Sequence, residues 1–465
     1  MPRPPASPWS QVLLAAAFAS GCTDTSEEGP PPSEPSASPD VLLVVLDTTR
    51  ADALSAYGNP RPTSPAFDAL AAEGVLFGDA TAAAPWTWPS HASLFTGLGP
   101  WEHGAHYAEL GADPEHQHLG AELAGLHPEV TTLAERFAAA GYRTVSLAAN
   151  PLLDPAFGLV RGFQRAEHHA DDRAVVELAV QELLAPREEP LLLFVNLMPA
   201  HHPGRVEPIA PWSERHRERL ARRDLPNARA YVFDDPLRLD FYKRRAPEEP
   251  IGWDRLRSGE QVLDEDELGL LRDLYDGGVL KADTYLKLLL TAWGDHGVRA
   301  VTADHGEYFG EHGHWEHGRV LRSPVLNVPL VVAADGLAPE RRTDPVEQRE
   351  LGATLLHLAG LGDDPGVLDG SDRVLASAWP DQRVAPLGEP YERGWRLVRE
   401  GDLALVASTA GDRWLFDVAQ DPGMERPLDR PAEVRRLEAL IPWGEGVVGE
   451  PVRAEEAMRA LGYVE

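Results

Sequence analysis

The segment Val301-Thr-Ala-Asp-His-Gly-Glu-Tyr-Phe-Gly-Glu-His-Gly-His-Trp-Glu-His317 organises the rest of the chain. The strand-like run 298–302 is typical of a short buried strand, so Asp304 and His305 should stand where that strand ends. A carboxylate beside an imidazole there is a natural metal-binding pair, because both side chains can reach one ion in the crevice at the sheet edge. The segment holds four His and three Glu. We therefore interpret it as a metal-site loop rather than a polar surface loop.

The size and charge of the chain limit the class of protein that it can be. Its 465 residues are enough for one large domain and a smaller one. The net charge of −31 argues against nucleic acid or an anionic membrane surface as a partner. An anionic substrate would therefore need a metal ion or local cations to hold it. Cys22 is the single cysteine, so no internal disulfide can form.

The first residues have the layout of a secretory signal, with Arg3 ahead of the apolar run 12–19. That run is too short to span a bilayer as a permanent helix. Cys22 directly follows Ala-Ser-Gly, which resembles a bacterial lipoprotein cleavage site; a plain signal peptide is the alternative. We expect a signal peptide at 1–21, a disordered Pro/Ser/Glu-rich tether at 22–39, and an exported lipoprotein anchored in the periplasm or at the cell surface.

The run Val41-Leu-Leu-Val-Val-Leu46 predicts a central strand that is buried on both faces. Asp47 follows it directly. If this strand and the one before Asp304 share a parallel sheet, their two carboxylates lie near each other. Alone, an aspartate after a strand is usually a helix N-cap. The assignment of Asp47 to a metal site therefore depends on its pairing with Asp304.

A second candidate segment is Thr87-Trp-Pro-Ser-His-Ala-Ser-Leu-Phe-Thr-Gly97. Pro89 suits the first turn of a helix, which puts Thr87 at or just before the helix N-terminus. Free N–H groups and the positive end of the helix dipole attract an anion there. A hydroxyl held at that point against a metal can lose its proton near neutral pH and attack. A simple N-cap role for Thr87 is the alternative, and the sequence leaves it open.

The remaining pattern predicts an α/β fold with a large, mainly parallel, doubly wound sheet flanked by helices. Apolar spacing places helices at 130–140 and 270–293 and strands at 142–148 and 191–197. From about residue 375, short strands at turn spacing indicate a smaller C-terminal antiparallel sheet with helices. These strands are expected at 395–398, 403–406 and 413–416, and the helices at 434–440 and 454–461. We assign a catalytic domain to 40–374 and an α+β subdomain to 375–465.

The order of these motifs resembles the sulfatase family, within the alkaline-phosphatase superfamily. The strongest similarities lie at 46–52, 63–77, 87–104 and 302–317, and weaker ones extend from Asp40 to the C-terminus. Each short piece is unspecific, but the ordered set is highly specific. The resemblance implies the fold of that family and a metal-dependent ester hydrolase.

The chain departs from working sulfatases at several positions of these motifs. Family members start the nucleophile motif with Cys or Ser, which is oxidised to formylglycine, and Thr87 cannot become that aldehyde. His91 replaces the usual Arg, and Thr48 replaces an Asp. Ala148-Ala-Asn150 stands where many sulfatases have Gly-Lys-Trp-His, and His317 replaces a lysine. These changes argue against the usual sulfatase reaction.

The substitutes resemble the phosphoryl-transferring branch of the superfamily, which includes phosphodiesterases, phosphonate hydrolases and phosphoethanolamine transferases. That resemblance implies one group of residues that binds the metal and a second group that holds the transferring group's oxygens, or a second metal. Imidazole ligands favour zinc or manganese, with calcium as the alternative. The implied metal ligands are Asp47, Thr87, Asp304 and His305, and the implied catalytic residues are Thr87, His201, His317 and His91.

We therefore predict a sulfatase-family hydrolase of an anionic sulfate or phosphate-type ester, with phosphoester or phosphonate favoured. The substrate would be a small molecule or a glycan- or lipid-linked ester, and the membrane would be reached only through a lipid anchor at Cys22. Two alternatives remain at this point. One is a true sulfatase that acts without formylglycine, and the other is a catalytically silent surface lipoprotein that binds an anionic glycan or lipid head group.

Overall fold

The computed structural model describes residues 38–107, 123–201, 256, 258–259, 262–379, 392–444, 446–447, 449 and 451–452. The predicted signal peptide, nearly all of the predicted tether and the predicted helix at 454–461 lie outside the described residues, so export and lipidation stay predictions. Within the described ranges, no helix combines the length and the apolar character that a membrane crossing requires.

The described chain alternates strands and helices over most of its length. The α-helices, numbered in chain order, are α1 Pro65–Ala71, α2 Thr87–Thr96, α3 Pro100–His103, α4 Leu133–Ala139, α5 Asp172–Leu184, α6 Glu265–Trp293, α7 Ser323–Leu326, α8 Leu351–Leu358 and α9 Pro431–Glu438. The strands are β1 Val41–Leu46, β2 Val75–Thr81, β3 Leu123–Ala124, β4 Arg143–Ala148, β5 Arg165–His168, β6 Leu191–Leu197, β7 Val298–Thr302, β8 Tyr308–Phe309, β9 Trp315–Glu316, β10 Asn327–Ala333, β11 Glu340–Arg342, β12 Val346–Glu347, β13 Val374–Ala378, β14 Trp395–Glu400, β15 Leu403–Ser408, β16 Arg413–Asp417 and β17 Pro451–Val452.

The main sheet of the described residues has nine strands in the order β11-β2-β10-β7-β1-β6-β4-β5, with β12 also paired to β2. Only β10 is antiparallel to its neighbours β2 and β7, whereas the other pairs of this sheet are parallel. The predicted large, mainly parallel sheet is therefore confirmed.

The strand β1 lies in the middle of this sheet because its apolar side chains can be buried on both faces. All six are buried. Val41, Leu43 and Val45 belong to one core cluster together with residues of α2 and α8, and the alternate side chains point to the opposite face. The strand β1 pairs with β6 on one side and with β7 on the other, and in the second pair Val45 lies opposite Thr302. Residues two positions beyond this pair therefore leave the sheet at the same edge.

The helix α6 begins five residues earlier than the apolar pattern predicted, at Glu265 rather than 270. The Asp264 carboxylate accepts from the Glu267 N–H at 2.8 Å, and the Glu267 carboxylate accepts from the Asp264 N–H at 3.0 Å. This reciprocal capping box, followed by acidic residues at the positive end of the helix dipole, stabilises a first turn that carries almost no apolar pattern.

The C-terminal sheet is antiparallel, with β13, β14, β15 and β16 in sequence order, as predicted. Both of its faces are covered. One face packs against α9 through Leu437. The other face contributes Trp395 and Phe416 to a cluster with Tyr308 and Leu321 of the 301–326 region. The sheet therefore supports the loop that follows Asp304 and His305.

A buried carboxyl group where β12 ends makes the stability of the protein depend on pH. Glu347 accepts from the Leu375 N–H and from the Arg349 guanidinium, both at 2.5 Å. Burial raises the pKa of Glu347 from 4.5 to about 7, and Arg349 opposes this only in part. A raised carboxyl pKa means that the folded protein holds a proton which the unfolded chain releases. The stability supplied by this group is therefore complete below pH 4.5 and is lost as the pH rises towards 7.

We expect Glu347→Gln to remove this pH dependence, because the amide keeps an acceptor but does not ionise. Relative to the variant, the wild type should lose about 2 kcal/mol of unfolding free energy between pH 5 and pH 8. Urea denaturation of both proteins at the two pH values measures the difference. Parallel stability curves for the two proteins would show that Glu347 does not titrate in this range.

Candidate active site

The ends of β1 and β7 bring three of the predicted metal ligands together. Asp47 follows β1 directly, and Asp304 and His305 follow β7 after one intervening residue, Ala303. All three side chains are fully buried. One oxygen of each carboxylate and one ring nitrogen of His305 all lie within 4.8 Å of one another. Two carboxylates and an imidazole at this spacing are a suitable donor set for a divalent ion such as zinc or manganese.

The Asp304 carboxylate supports this interpretation, because only one of its oxygens is satisfied by hydrogen bonds. Its Oδ1 accepts from the N–H groups of Thr48 and His305, each at 3.0 Å. Its Oδ2 has no hydrogen-bond partner among the described residues, and it lies 3.4 Å from His91 Nδ1 and 3.4 Å from His305 Nε2. A buried anionic oxygen without a donor is costly, and a bound cation would compensate it.

The tautomer of His305 points the same way. Its Nδ1 lies 2.9 Å from the carbonyl oxygen of Gly306, which can only accept, so Nδ1 carries the hydrogen. The lone pair of Nε2 therefore faces Asp304 Oδ2 and, at 3.4 Å, the hydroxyl of Thr87. A backbone carbonyl commonly fixes a metal-binding imidazole in this tautomer. The residues present thus fit a divalent metal ion.

Asp47 is held by side-chain donors and does not act as a helix N-cap. Its Oδ1 accepts from the Thr48 hydroxyl at 2.8 Å. Its Oδ2 accepts from the amides of Asn150 at 2.8 Å and Asn196 at 3.0 Å. Burial alone would raise the pKa of Asp47, but His201, other nearby histidines and the Asn150 amide together lower it to about 2. The group is therefore a carboxylate at neutral pH.

Thr87 is the first residue of α2, and the N-cap position belongs to Trp86, which makes no side-chain cap. The N-cap alternative for Thr87 is thus wrong, since its hydroxyl points into the site. The hydroxyl accepts from the Asn150 amide at 3.2 Å and lies 3.4 Å from His305 Nε2. Gly318 N–H donates to the carbonyl of Pro85 at 2.7 Å, so the end of the loop lies against the start of α2.

The other predicted histidines lie around the same point. His91 Nδ1–H donates to the Thr87 carbonyl at 3.0 Å. The ring of His317 is 4.4 Å from that of His305 and 5.1 Å from that of His201, centroid to centroid. Burial, together with the two neighbouring imidazoles of His305 and His201, holds the pKa of His317 well below its ordinary value. His317 is therefore a neutral imidazole at neutral pH.

Three polar residues of the site do not stand out as functional in the sequence. Asn150 appears there only as a departure from a motif, and Asn196 is hidden inside the apolar strand β6. A lone amide in a buried run needs a partner, which was the available signal for Asn196. Glu307 lies with its carboxylate oxygens 3.3 Å from His317 Nδ1, and its position directly after Asp304-His-Gly was the signal for it.

The turn after β1 is held by Tyr275 of α6, for which the sequence offered no signal. The Tyr275 hydroxyl donates to the Thr48 carbonyl at 2.7 Å and accepts from the Arg50 N–H at 2.8 Å. Thr48 has a φ of +59°, which is a left-handed conformation that β-branched residues rarely adopt. The two hydrogen bonds from α6, with the bond from Thr48 N–H to Asp304, keep the strained turn in place beside Asp47.

Comparison with known proteins finds similarity over most of the length of the chain. The family described as Sulfatase matches residues 39–361. The chain is 22% identical over 437 residues to the Delta 4,5-hexuronate-2-O-sulfatase of Bacteroides thetaiotaomicron, with 86% of each chain covered. It is 21% identical over 456 residues to an arylsulfatase of Clostridium perfringens, covering 83% of this chain and 89% of the relative. The phosphonate monoester hydrolase of Agrobacterium radiobacter has the same fold, with a TM-score of 0.57 and 18% identity. The match covers 91% of this chain and 95% of the hydrolase.

Proposed function

The chain belongs to the sulfatase family, and from that premise we propose that it hydrolyses a phosphorus ester with Thr87 as the nucleophile. The coarser statement, a sulfatase-like ester hydrolase, follows from the family itself. The observation that carries the finer proposal is the position of the Thr87 hydroxyl. It lies 3.4 Å from His305 Nε2, beside the cluster of Asp47, Asp304 and His305.

The chemistry of threonine favours phosphorus over sulfur. A hydrated formylglycine carries two hydroxyls on one carbon, so it can release sulfate by breaking its own carbon–oxygen bond. Thr87 has one hydroxyl on Cβ and has no such route. A group transferred to it must leave by attack of water at the phosphorus or sulfur atom. Water attacks a phosphorylated threonine in the same in-line manner as the first step, so one site serves both steps.

The residues of the site have distinct roles in this proposal. The N–H groups at the start of α2 would face the ester oxygens, on which charge develops, and His91 supports this end of the helix by donating from Nδ1 to the Thr87 carbonyl. The Glu307 carboxylate holds the hydrogen of His317 at Nδ1, which leaves Nε2 of this neutral imidazole to accept the proton that the Thr87 hydroxyl releases as it attacks. His201, beside it, donates a proton to the leaving group. A divalent cation held by Asp47, Asp304 and His305 would supply positive charge to the reacting ester.

Asn150 orients the nucleophile, because its amide donates both to Thr87 Oγ1 and to Asp47 Oδ2. We expect Asn150→Ala to lower kcat by about 10- to 100-fold, with a smaller change in KM. Asn196→Ala is the comparison variant, since Asn196 donates to the same Asp47 oxygen and touches Asn150 only through its backbone N–H, at 3.0 Å. Steady-state kinetics of the two variants compare the contacts, and Asn196→Ala should cost clearly less than Asn150→Ala. A loss for Asn196→Ala as large as that for Asn150→Ala would contradict a separate role of the contact between the Asn150 amide and Thr87.

The experiment that tests the proposed function is turnover by the purified chain starting at Asp40. It is supplied in turn with zinc, manganese and calcium. The substrates are matched aryl esters: a sulfate, a phosphate monoester, a phosphodiester and a phosphonate monoester. The proposal expects metal-dependent cleavage of a phosphorus ester well above that of the sulfate. Faster cleavage of the sulfate would mean a sulfatase that uses threonine directly. No cleavage across the panel would favour the binding-only alternative.

A further inference from the structure

The turn that carries His201 begins where β6 ends, and it is anchored on one side by α5. Leu197 still belongs to the sheet, because its carbonyl accepts from the Asp47 N–H at 2.8 Å. The next N–H, that of Met198, leaves the sheet and donates to Asp172 Oδ1 at 2.7 Å. His201 N–H then closes the turn on the Met198 carbonyl at 3.0 Å. Asp172 therefore fixes the first residue of the turn.

The opposite side of the same turn rests on α6. A Cβ added to Gly278 would lie 2.5 Å from the Pro199 carbonyl oxygen and 3.0 Å from the Ala200 Cα. Real side chains do not tolerate such contacts with backbone, so only glycine allows the turn to lie directly on the helix. Because α5 and α6 also pack against each other, the turn is held between two helices that cannot easily separate.

The side chain of Asp172 is not the N-cap of its own helix. The N-cap of α5 is the preceding residue, Asp171, whose carboxylate accepts from the Arg173 N–H at 3.0 Å. Two adjacent carboxylates thus make different contacts. Asp171 caps α5, whereas Asp172 reaches across to the Met198 N–H. Asp171→Ala and Asp172→Ala therefore each remove one carboxylate, but they remove different contacts.

We propose that Asp172 is a positioning residue that acts on the reaction through His201, with Gly278 as its counterpart on α6. Asp172 sets where the turn leaves β6, Gly278 sets how close the turn lies to α6, and together they place the His201 ring against His317. This inference rests on the proposed function, in which His201 serves the leaving group. A shift of about 1 Å in such a group is enough to slow a reaction by up to about 100-fold.

The kinetic test compares three variants of the full chain. Asp172→Ala should lower kcat/KM by about 10-fold or more, mainly through kcat. Asp172→Asn should restore most of the loss, because its side-chain oxygen still accepts from the Met198 N–H. Asp171→Ala, the control, should leave kcat close to that of the wild type. If Asn fails to rescue, the charge of Asp172 matters rather than its contact, and the proposal is wrong.

A double-mutant cycle separates positioning from a general structural role. In a His201→Ala background, Asp172→Ala should have little further effect on kcat, because the group that it positions is gone. A loss that multiplies with that of His201→Ala would overturn the proposal. Gly278→Ala is the independent second variant. It should behave like Asp172→Ala in the same cycle, although its effect comes from the opposite helix.

A structural readout keeps this test separate from the proposed function. In a crystal structure of Asp172→Ala, the His201 and His317 ring centroids should be farther apart than in a crystal structure of the wild type, for which a separation near 5.1 Å is expected. This comparison needs no turnover, so it holds even if every ester of the panel is inert. Unchanged ring positions in Asp172→Ala and Gly278→Ala would refute the positioning role, whereas an inactive wild type would refute only the proposed reaction.

Discussion

Replacing Thr87 with alanine is expected to lower kcat by about 10⁴-fold, because it removes the hydroxyl that forms the covalent intermediate in the proposed reaction. The cluster of Asp47, Asp304 and His305 does not need the hydroxyl to stay in place, so metal content should be retained. Thr87→Ser keeps a hydroxyl at the same carbon and should retain most of the activity. Steady-state kinetics and metal analysis of both variants, on the best ester of the panel, provide the measurement.

The control for this variant lies on the same helix. Thr96 is the last residue of α2 and donates its hydroxyl to the Ala92 carbonyl at 2.7 Å, away from the site. Thr96→Ala should therefore leave kcat nearly unchanged. Mass spectrometry of the acid-quenched wild type should also find a transferred group on the peptide that contains Thr87. A Thr87→Ala protein with native kcat would eliminate Thr87 as the nucleophile.

Replacing Asp304 with asparagine should abolish activity and at the same time stabilise the metal-free protein. The amide oxygen can keep the bonds from the Thr48 and His305 N–H groups. The new NH₂ takes the place of Oδ2, where it can donate to the His305 Nε2 lone pair that lies 3.4 Å away. The variant then has no buried oxygen without a donor at this point. The free energy of unfolding of metal-free Asp304→Asn should therefore exceed that of the metal-free wild type by about 1–3 kcal/mol.

The order of stability should reverse when metal is present. The wild type gains the free energy of binding, which grows with the ratio of free metal to its dissociation constant, whereas the variant has lost one ligand charge. Thermal unfolding of both proteins tests both expectations: the measurement with chelator compares the metal-free proteins, and the measurement with zinc or manganese compares them in the presence of metal. Asp335→Asn controls for the loss of one charge at an exposed position. A variant that is less stable than wild type even with chelator would show that Asp304 is fully satisfied without metal.

The sequence was sufficient for those parts of the site that stand at strand ends. The apolar run of β1 and the strand-like run of β7 located Asp47 and Asp304, and the pattern of α2 located Thr87, because strand and helix patterns are local properties of the sequence. Parallel pairing then brings the strand ends to one edge of the sheet. The fold class followed from the same local patterns.

What the sequence did not reveal depends on contacts between distant residues. Tyr275 reaches Thr48 across 227 positions of the chain, and nothing in the pattern of α6 distinguishes it from other half-apolar positions. The early start of α6 was missed for a different reason. Its first turn is stabilised by capping and by the helix dipole, which leave no apolar period to detect.

The C-terminal sheet supports the metal-site loop. This contact determines when, during synthesis of the chain, the metal site can become complete. Tyr308 and Leu321 pack against Trp395 and Phe416, which leave the ribosome about 90 residues after the loop itself. During synthesis, the strands that carry Asp47 and Asp304 are therefore complete long before the loop has anything to rest on. We expect the ability to hold metal tightly to appear only after Trp395 and Phe416 have been synthesised and have packed on the loop. A prematurely terminated product would then carry every ligand and still lack a working centre.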